Sequence, residues 1–489
     1  MDFFKGRRGY LDGLSRIDQL SLLYLALPVA IFYLGWFKPL FGIVCFAVLV
    51  FIVFPRFKAH NETGPDKKSL ATFCLVAFLT IIWCILGGAG HIFYANDDWV
   101  VRDAVLRDLV VYPWPVNYST DPDFVFMLRA PIGYYLVPAL IARGTGLVSA
   151  DYLLLAWNIM GVMLFFSIIA SLWAKRWHFF LAMGIFILFS GMDVVGTLFK
   201  NKPFFSTAFL EWWAYFFQYP SSTTVLYWAP NHGLPGWLAA ALILKNWRDP
   251  RFLPVSLILT ALIPLWSPLT ALGTLFLFLA IFLFHLVRGT WKSILSPEAA
   301  LACLIAVPVA LFITLNTSKI PSGWIFHHFS LSNFMFRYVS FVAIELAVLP
   351  LVVAGEFRYK TGYEWLTTAS FFFLLLIPLY YLGFANDFVM RASIPLLAVA
   401  AVRSAAVLIA AIERRSFAFA FIIFSVLAIG SVTPITETNR SLFGERWRPD
   451  LSHNLVQVIK SRAIHYYAQI SRDDISFFLK EPALFEPDK

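Results

Sequence analysis

The chain has 489 residues, 60% of them hydrophobic and only 14% charged, at a mean hydropathy of +0.74. A soluble domain carries roughly 25% charge, so a water-soluble globular fold is excluded. The +9 net charge reads as Lys and Arg held at one membrane face, which leaves a nucleic-acid partner without support.

The first segment, MDFFKGRRGYLDGLSR, is basic, and the apolar run after it has no small-residue cleavage site. A cytoplasmic start with an uncleaved first helix is expected. Apolar runs at 19–37, 39–55 and 69–89 are long enough to span as helices. They place Lys5, Arg7, Arg8, Arg16, Arg56, Lys58, Lys67 and Lys68 inside and residue 90 outside. Cys45, Cys74, Cys84 and Cys303 lie in apolar runs without metal or redox spacing, so disulfides are not expected.

FYANDDWVVRDAVLRDLVVYPWPVNY (93–118) follows, the densest charge in an oily chain. Asp98–Arg102 and Asp103–Arg107 have the i, i+4 spacing of helical ion pairs. At 100° per residue the two pairs fall about 140° apart, so this helix should have protein on more than one side. Asp97 and Asp98 sit at its start, where a carboxylate can cap free N–H groups. Asp97 is read as an N-cap or a catalytic base, and Asp98 as a catalytic or substrate-binding residue. Asp103, Arg107 and Asp108 are read as structural ion pairs.

RAPIGYYLVPALIARGTG (129–146) resembles a spanning helix but contains Pro131 and Pro138 and ends in glycines. If it crossed, every later basic turn would change sides. It is therefore expected to lie at the outer surface, making 90–149 one external loop. Later spans are expected at 150–173, 178–197, 233–247, 251–266, 268–287, 298–316, 338–354, 365–384, 391–411 and 416–433. Lys175, Arg176, Lys245, Arg248, Arg251, Arg288, Lys292, Arg358, Lys360, Arg414 and Arg415 then all fall inside. The expected fold is all-α: a polytopic membrane domain over 1–433 with about 13 spans and external loops at 90–149 and 198–232. An external tail or small cap occupies 434–489.

Ionisable residues from separate outer loops converge on one face under this topology, which marks a site. Asp193 closes a span. LEWWAYFFQYPSSTTVLYWAPNHG (210–233) sets Glu211 and His232 among Trp212 and Trp228, a pattern suited to sugar faces. Arg391 opens a span four residues after Asp387. A cation at a helix N-terminus is unfavourable unless an anion neutralises it. Arg337, Arg102 and Arg391 are the candidates for a donor phosphate. His327–His328 is a weak metal motif. No metal is required, although a divalent ion is compatible.

These features resemble the GT-C superfamily of membrane glycosyltransferases, which includes protein O-mannosyltransferases and lipid A aminoarabinose transferases. ANDD (95–98) is similar to the family's acidic motif in the first large external loop, and RAPIGYYLVPALI to its juxtamembrane helices. The resemblance implies transfer of a sugar from a polyprenyl-phosphate donor to a glycan, lipid or protein hydroxyl, with Asp97 or Asp98 as base. It also implies a bacterial inner-membrane enzyme acting at the outer face. The chain departs from the family in having two helices before the one entering the acidic loop. A transporter or flippase of a lipid-linked or anionic substrate is the alternative, with Glu345 and Asn158 as its polar residues.

Overall fold

The computed structural model describes residues 14–53, 67–200, 209–315, 317, 320–327, 329–459, 466–472, 475 and 477–485. Lys5, Arg7, Arg8, Arg56, Lys58 and His328 lie outside them, as does 201–208 of the aromatic loop. The chain is mostly helical: α1 (Arg16–Trp36), α2 (Pro39–Val53), α3 (Lys67–Ile85), α4 (Asp98–Val111), β1 (Phe124–Leu128), α5 (Gly133–Thr145), α6 (Ala150–Ala170), α7 (Arg176–Ile187), α8 (Asp193–Phe199) and α9 (Ser222–Trp228). There follow α10 (Pro230–Asn246), α11 (Phe252–Leu262), α12 (Pro268–Val287), α13 (Pro297–Ile313), β2 (Ser322–Trp324), α14 (Leu331–Glu345), α15 (Val348–Tyr359), α16 (Glu364–Leu376) and β3 (Tyr380–Leu382). The last elements are α17 (Asp387–Ala392), α18 (Ile394–Glu413), α19 (Phe417–Gly430), α20 (Val432–Phe443), α21 (Leu455–Ile459) and β4 (Tyr467–Ser471).

Local sequence explains the starts. Ser15 and Asp18 form a capping box on α1, each satisfying a backbone N–H that the first turn leaves open. Ser267-Pro268 and Ser296-Pro297 repeat one device: the serine side chain accepts from the third amide of α12 or α13, and proline opens the helix. Ser221 caps α9 in the same way.

Among the described residues, five helices are long and apolar enough to cross a membrane: Arg16–Trp36, Leu147–Ala170, Pro268–Val287, Ile394–Glu413 and Phe417–Phe443. α14 and α15 make a sixth if the pair, bent by 54°, counts as one span. The other apolar helices are shorter. Large side chains such as Leu40, Ile43, Phe73, Phe78, Leu304, Val307, Phe421 and Phe424 are exposed on α2, α3, α13 and α19. So much exposed apolar surface fits lipid, not water. α18 is the axis of the bundle, 94% of its apolar window being covered by protein.

Two expected spans are broken. The 178–197 run stops at Ile187 and restarts at Asp193. Gly191 sits in the break because a Cβ there would overlap the Glu345 carboxylate. The 338–354 run is not one helix, since α14 and α15 meet just after Glu345.

Contacts sort the loops into two ends. At one, Lys245 pairs with Asp18 at 2.8 Å, Lys175 with Glu413 at 2.5 Å, and Arg414 donates to the Tyr359 carbonyl at 2.8 Å. Arg248 reaches the Gly362 carbonyl beside them. At the other end lie the turn after α1, the 86–132 segment and the tail. α5 packs there against α1, α4 and α6. Its 13 residues cover about 20 Å at 1.5 Å per residue.

The described residues of the tail join the core of the bundle through Leu455, Ile459, Phe478 and Leu479. β4 pairs antiparallel with β1, Phe124 opposite Ser471 through Leu128 opposite Tyr467. Lys480 N donates to the Trp36 carbonyl and Lys38 N to that of Phe478. Trp447 Nε1 donates to the Ala95 carbonyl at 2.7 Å. The tail thus straps the 90–130 segment onto the end of α1.

Candidate functional site

α4 starts where Asn96 holds it. The Asn96 carbonyl oxygen accepts from the Asp98 amide at 3.1 Å, and its amide donates to the Tyr227 carbonyl at 2.9 Å. Asp97 occupies the N-cap position without a side-chain cap bond, so the capping role expected of Asp97 belongs to Asn96. Trp99 Nε1 donates to the same Tyr227 carbonyl, which fixes how α4 is rotated.

That rotation sends Asp98 and Arg102 to one side. Asp98 Oδ2 lies 3.5 Å from the Arg102 guanidinium, with the Asp98 side chain 56% exposed and Arg102 only 11%. Arg102 donates to Asn231 Oδ1 at 2.8 Å. Asn231 contacts the neighbouring His232 ring at 3.3 Å. His232 Nδ1 meets Ser267 Oγ at 2.7 Å, Ser267 donates to Thr270 Oγ1 at 2.7 Å, and Thr270 donates to the Arg391 carbonyl at 3.3 Å. One polar line therefore runs from α4 through the starts of α10 and α12 to α17.

At its far end Arg391 pairs with Asp387 at 2.8 Å, one turn apart as the spacing predicts. The turn before them needs Gly383: its φ is +94°, and a Cβ would overlap the Asp387 carboxylate. Tyr466 of the tail closes the group. Burial pushes its phenol above the ordinary range, Arg102 and then Arg391 pull it down, and Asp98 and Asp387 push the other way. All four charged groups therefore act on one ring. Two guanidiniums, an exposed carboxylate and a buried imidazole make a place where an anion can sit beside a proton acceptor.

The expected site residues divide. Asp98, Arg102, His232, Asp387 and Arg391 come together. Asp193 is instead buried, accepting from Ser190 and Thr433 at 2.8 Å each and hydrogen-bonded to Glu345. Glu211 is buried too. Its oxygens accept from Gln218 at 2.6 Å, from the Ser221 amide at 2.9 Å and from Thr224 at 2.5 Å. Burial, with the charge of Asp193 added, pushes its carboxyl up to about 8. It organises its own loop and offers no free oxygen to a ligand. Trp228 donates to Glu437 at 2.9 Å, and Trp212 is an exposed ring against Phe209. Arg337 lies on α14, held by Asn333 and the Phe329 ring, apart from the group. Asp97 is exposed and acts on Tyr94 rather than on Tyr466.

The i, i+4 pairing expected of Asp103 and Arg107 is replaced. Asp103 faces His91 at 3.0 Å, and Arg107 pairs with Asp108 at 2.9 Å. Asp108 also accepts from Tyr118 and from the Leu455 amide at 2.8 Å each, so α4 carries the tail. Asn231, Ser267, Tyr466 and Tyr135, whose hydroxyl accepts from Arg102 at 3.4 Å, were not foreseen. Asn231 and Tyr135 stand inside segments singled out by sequence, whereas Ser267 and Tyr466 carry no local signal. Among the described residues, the group of three side chains able to ligate a metal is His91, Asp103 and Asp151, off this polar line. Compared with protein-family models, curated proteins and solved structures, the chain matches none.

Proposed function

We propose that the chain is a membrane glycosyltransferase that moves a sugar from a polyprenyl-phosphate donor to a hydroxyl of a glycan, lipid or protein. The observation that carries this reading is the polar line from Asp98 to Arg391, which sets an exposed carboxylate and two guanidiniums at one end of an apolar bundle. The reading includes about 13 spans in a bacterial inner membrane, with this end outside. The gathering of Lys175, Lys245, Arg248 and Arg414 at the opposite end supports that orientation.

A groove supplies a place for the donor's tail. It has a volume of about 290 Å³, lies between α11, α12 and α13, and is lined by Leu257, Pro268, Leu272, Ala306 and Ile313 among others. Its upper end adjoins Ser267. Arg129 donates to the Ile313 carbonyl at that end, and its own amide donates to the Tyr466 carbonyl. A chain lying in the groove would bring its phosphate to Arg102 and Arg391. Asp98 then takes the proton of the acceptor hydroxyl, whose oxygen bonds to the anomeric carbon. The bond from that carbon to the phosphate oxygen breaks, and its electron pair leaves with the lipid monophosphate. Arg102 and Arg391 stabilise the growing charge. His232 and Asn231 position Arg102.

One observation favours the second reading, a transporter of an anionic or lipid-linked substrate. α14 and α15 break by 54° beside the buried Glu345 and Asp193, and broken helices with buried charge are the parts of carriers. The readings separate experimentally. The full chain in detergent is offered polyprenyl-phosphate hexoses and pentoses, and released polyprenyl phosphate is measured. Turnover of at least one donor is expected, slowed about 10²- to 10⁴-fold by Asp98→Asn and little changed by Asp97→Asn. No release, together with lipid movement across proteoliposomes that Asp98→Asn leaves intact, would overturn the enzyme reading.

A further inference from the structure

The far side of α4 holds a second polar centre. A cavity of about 750 Å³ opens there, lined by Gly90, His91, Asp103, Asp151, Arg446 and Trp447 among others. His91, Asp103 and Asp151 line it and each offers one ligand atom, these atoms lying within 4.8 Å of one another. Two bonds of about 2.1 Å to a shared ion set ligand atoms about 3.4 to 4.2 Å apart, so the three close in slightly around an ion. The three come from separate elements: the loop after α3, the middle of α4 and the start of α6.

The hydrogen bonding is incomplete in a telling way. His91 and Asp103 are only 7% and 5% exposed. Their facing atoms are 3.0 Å apart, but the ring N–H is not aligned for a hydrogen bond. His91 Nε2 and Asp103 Oδ2 are buried and face each other across this gap without an aligned hydrogen bond. Buried polar atoms normally have one, and an unsatisfied one calls for an ion or a water. Asp151 is already oriented, since its Oδ1 accepts from the Gly90 amide at 3.0 Å. That bond fixes the carboxylate, as outer contacts do for metal ligands.

We propose that His91, Asp103 and Asp151 bind a divalent cation of the zinc or manganese class. One imidazole and two carboxylates suit those ions. The cavity leaves further coordination positions open, and Arg446 and Arg448 at its wall suit an anionic ligand on the ion. The site is independent of the glycosyltransferase reading, because it lies across α4 from Asp98 and Arg102.

The full chain, purified in detergent and stripped with EDTA, is titrated with Zn²⁺ and with Mn²⁺ by calorimetry while its melting temperature is followed. One ion per chain and a higher melting temperature are expected, because binding to the folded state alone stabilises it. Asp151→Asn should weaken binding by at least about tenfold, the size of loss that even outer-contact changes produce, and shrink the thermal shift accordingly. His91→Gln is the second variant should Asp151→Asn not elute as a single species. His453→Ala, at an exposed histidine elsewhere in the tail, should change neither. Failure of the wild type to take up either ion overturns the proposal, as does equal uptake by the wild type and either site variant. His91 and Asp103 would then be an ion pair only.

Discussion

Asp97 and Asp98 are neighbours and both exposed, yet only Asp98 shares its surroundings with Arg102 and Tyr466. The sequence marked the acidic pair but could not tell its members apart. The difference lies in one side-chain amide, Asn96, and in which turn of α4 the Tyr227 carbonyl anchors. Asp108 gives a prediction of another kind. Burial pushes its carboxyl up to about 6, against the pull of the Leu455 amide, Tyr118 and Arg107. Its unfolded value is about 3.9, so the folded chain binds a proton that the unfolded chain has released between these values. Its contribution to stability is full below about pH 4 and is lost as pH rises through about 6. The melting temperature of Asp108→Asn should therefore gain on that of the wild type between pH 4.5 and 7. A constant difference across that range would contradict the assignment.

α4 is the element on which both centres depend. Its two charged sides were legible in the spacing, because a residue every 100° fixes which side chains share a face. Their partners were not, since His91, Asn231 and Leu455 lie far away in the chain. The same holds for β1 and β4, five-residue strands whose pairing spans most of the sequence. Nothing local in YAQIS announces a partner at Phe124–Leu128. Deleting the residues after Phe443 removes β4, the Leu455 amide and the bond from Lys480 to Trp36 together. Hydrogen exchange should then lose its protection over residues 117–128 while α10 and α18, buried in the bundle, keep theirs. Unchanged protection at 117–128 would mean that the tail is not what holds this segment.

At the scale of the molecule, composition and hydropathy were enough for a helical membrane protein, because lipid demands long apolar helices whatever the function. The expectation that 129–146 stays uncrossed came from the charge of distant turns, because hydropathy alone does not distinguish this run from a span. The breaks at Leu188–Met192 and after Glu345 escaped the hydropathy pattern because an apolar average runs on through a short break and a single buried carboxylate. The central claim is that one end of the bundle gathers a lipid-linked phosphate between Arg102 and Arg391, with Asp98 beside it. A cryo-electron microscopy map of the full chain in nanodiscs containing polyprenyl phosphate tests it most directly. The account predicts phosphate density against both guanidiniums, with the polyprenyl chain entering the groove between α11, α12 and α13. Density for that phosphate at the Lys245 and Lys175 end, or beside Glu345 at the break between α14 and α15, would contradict it.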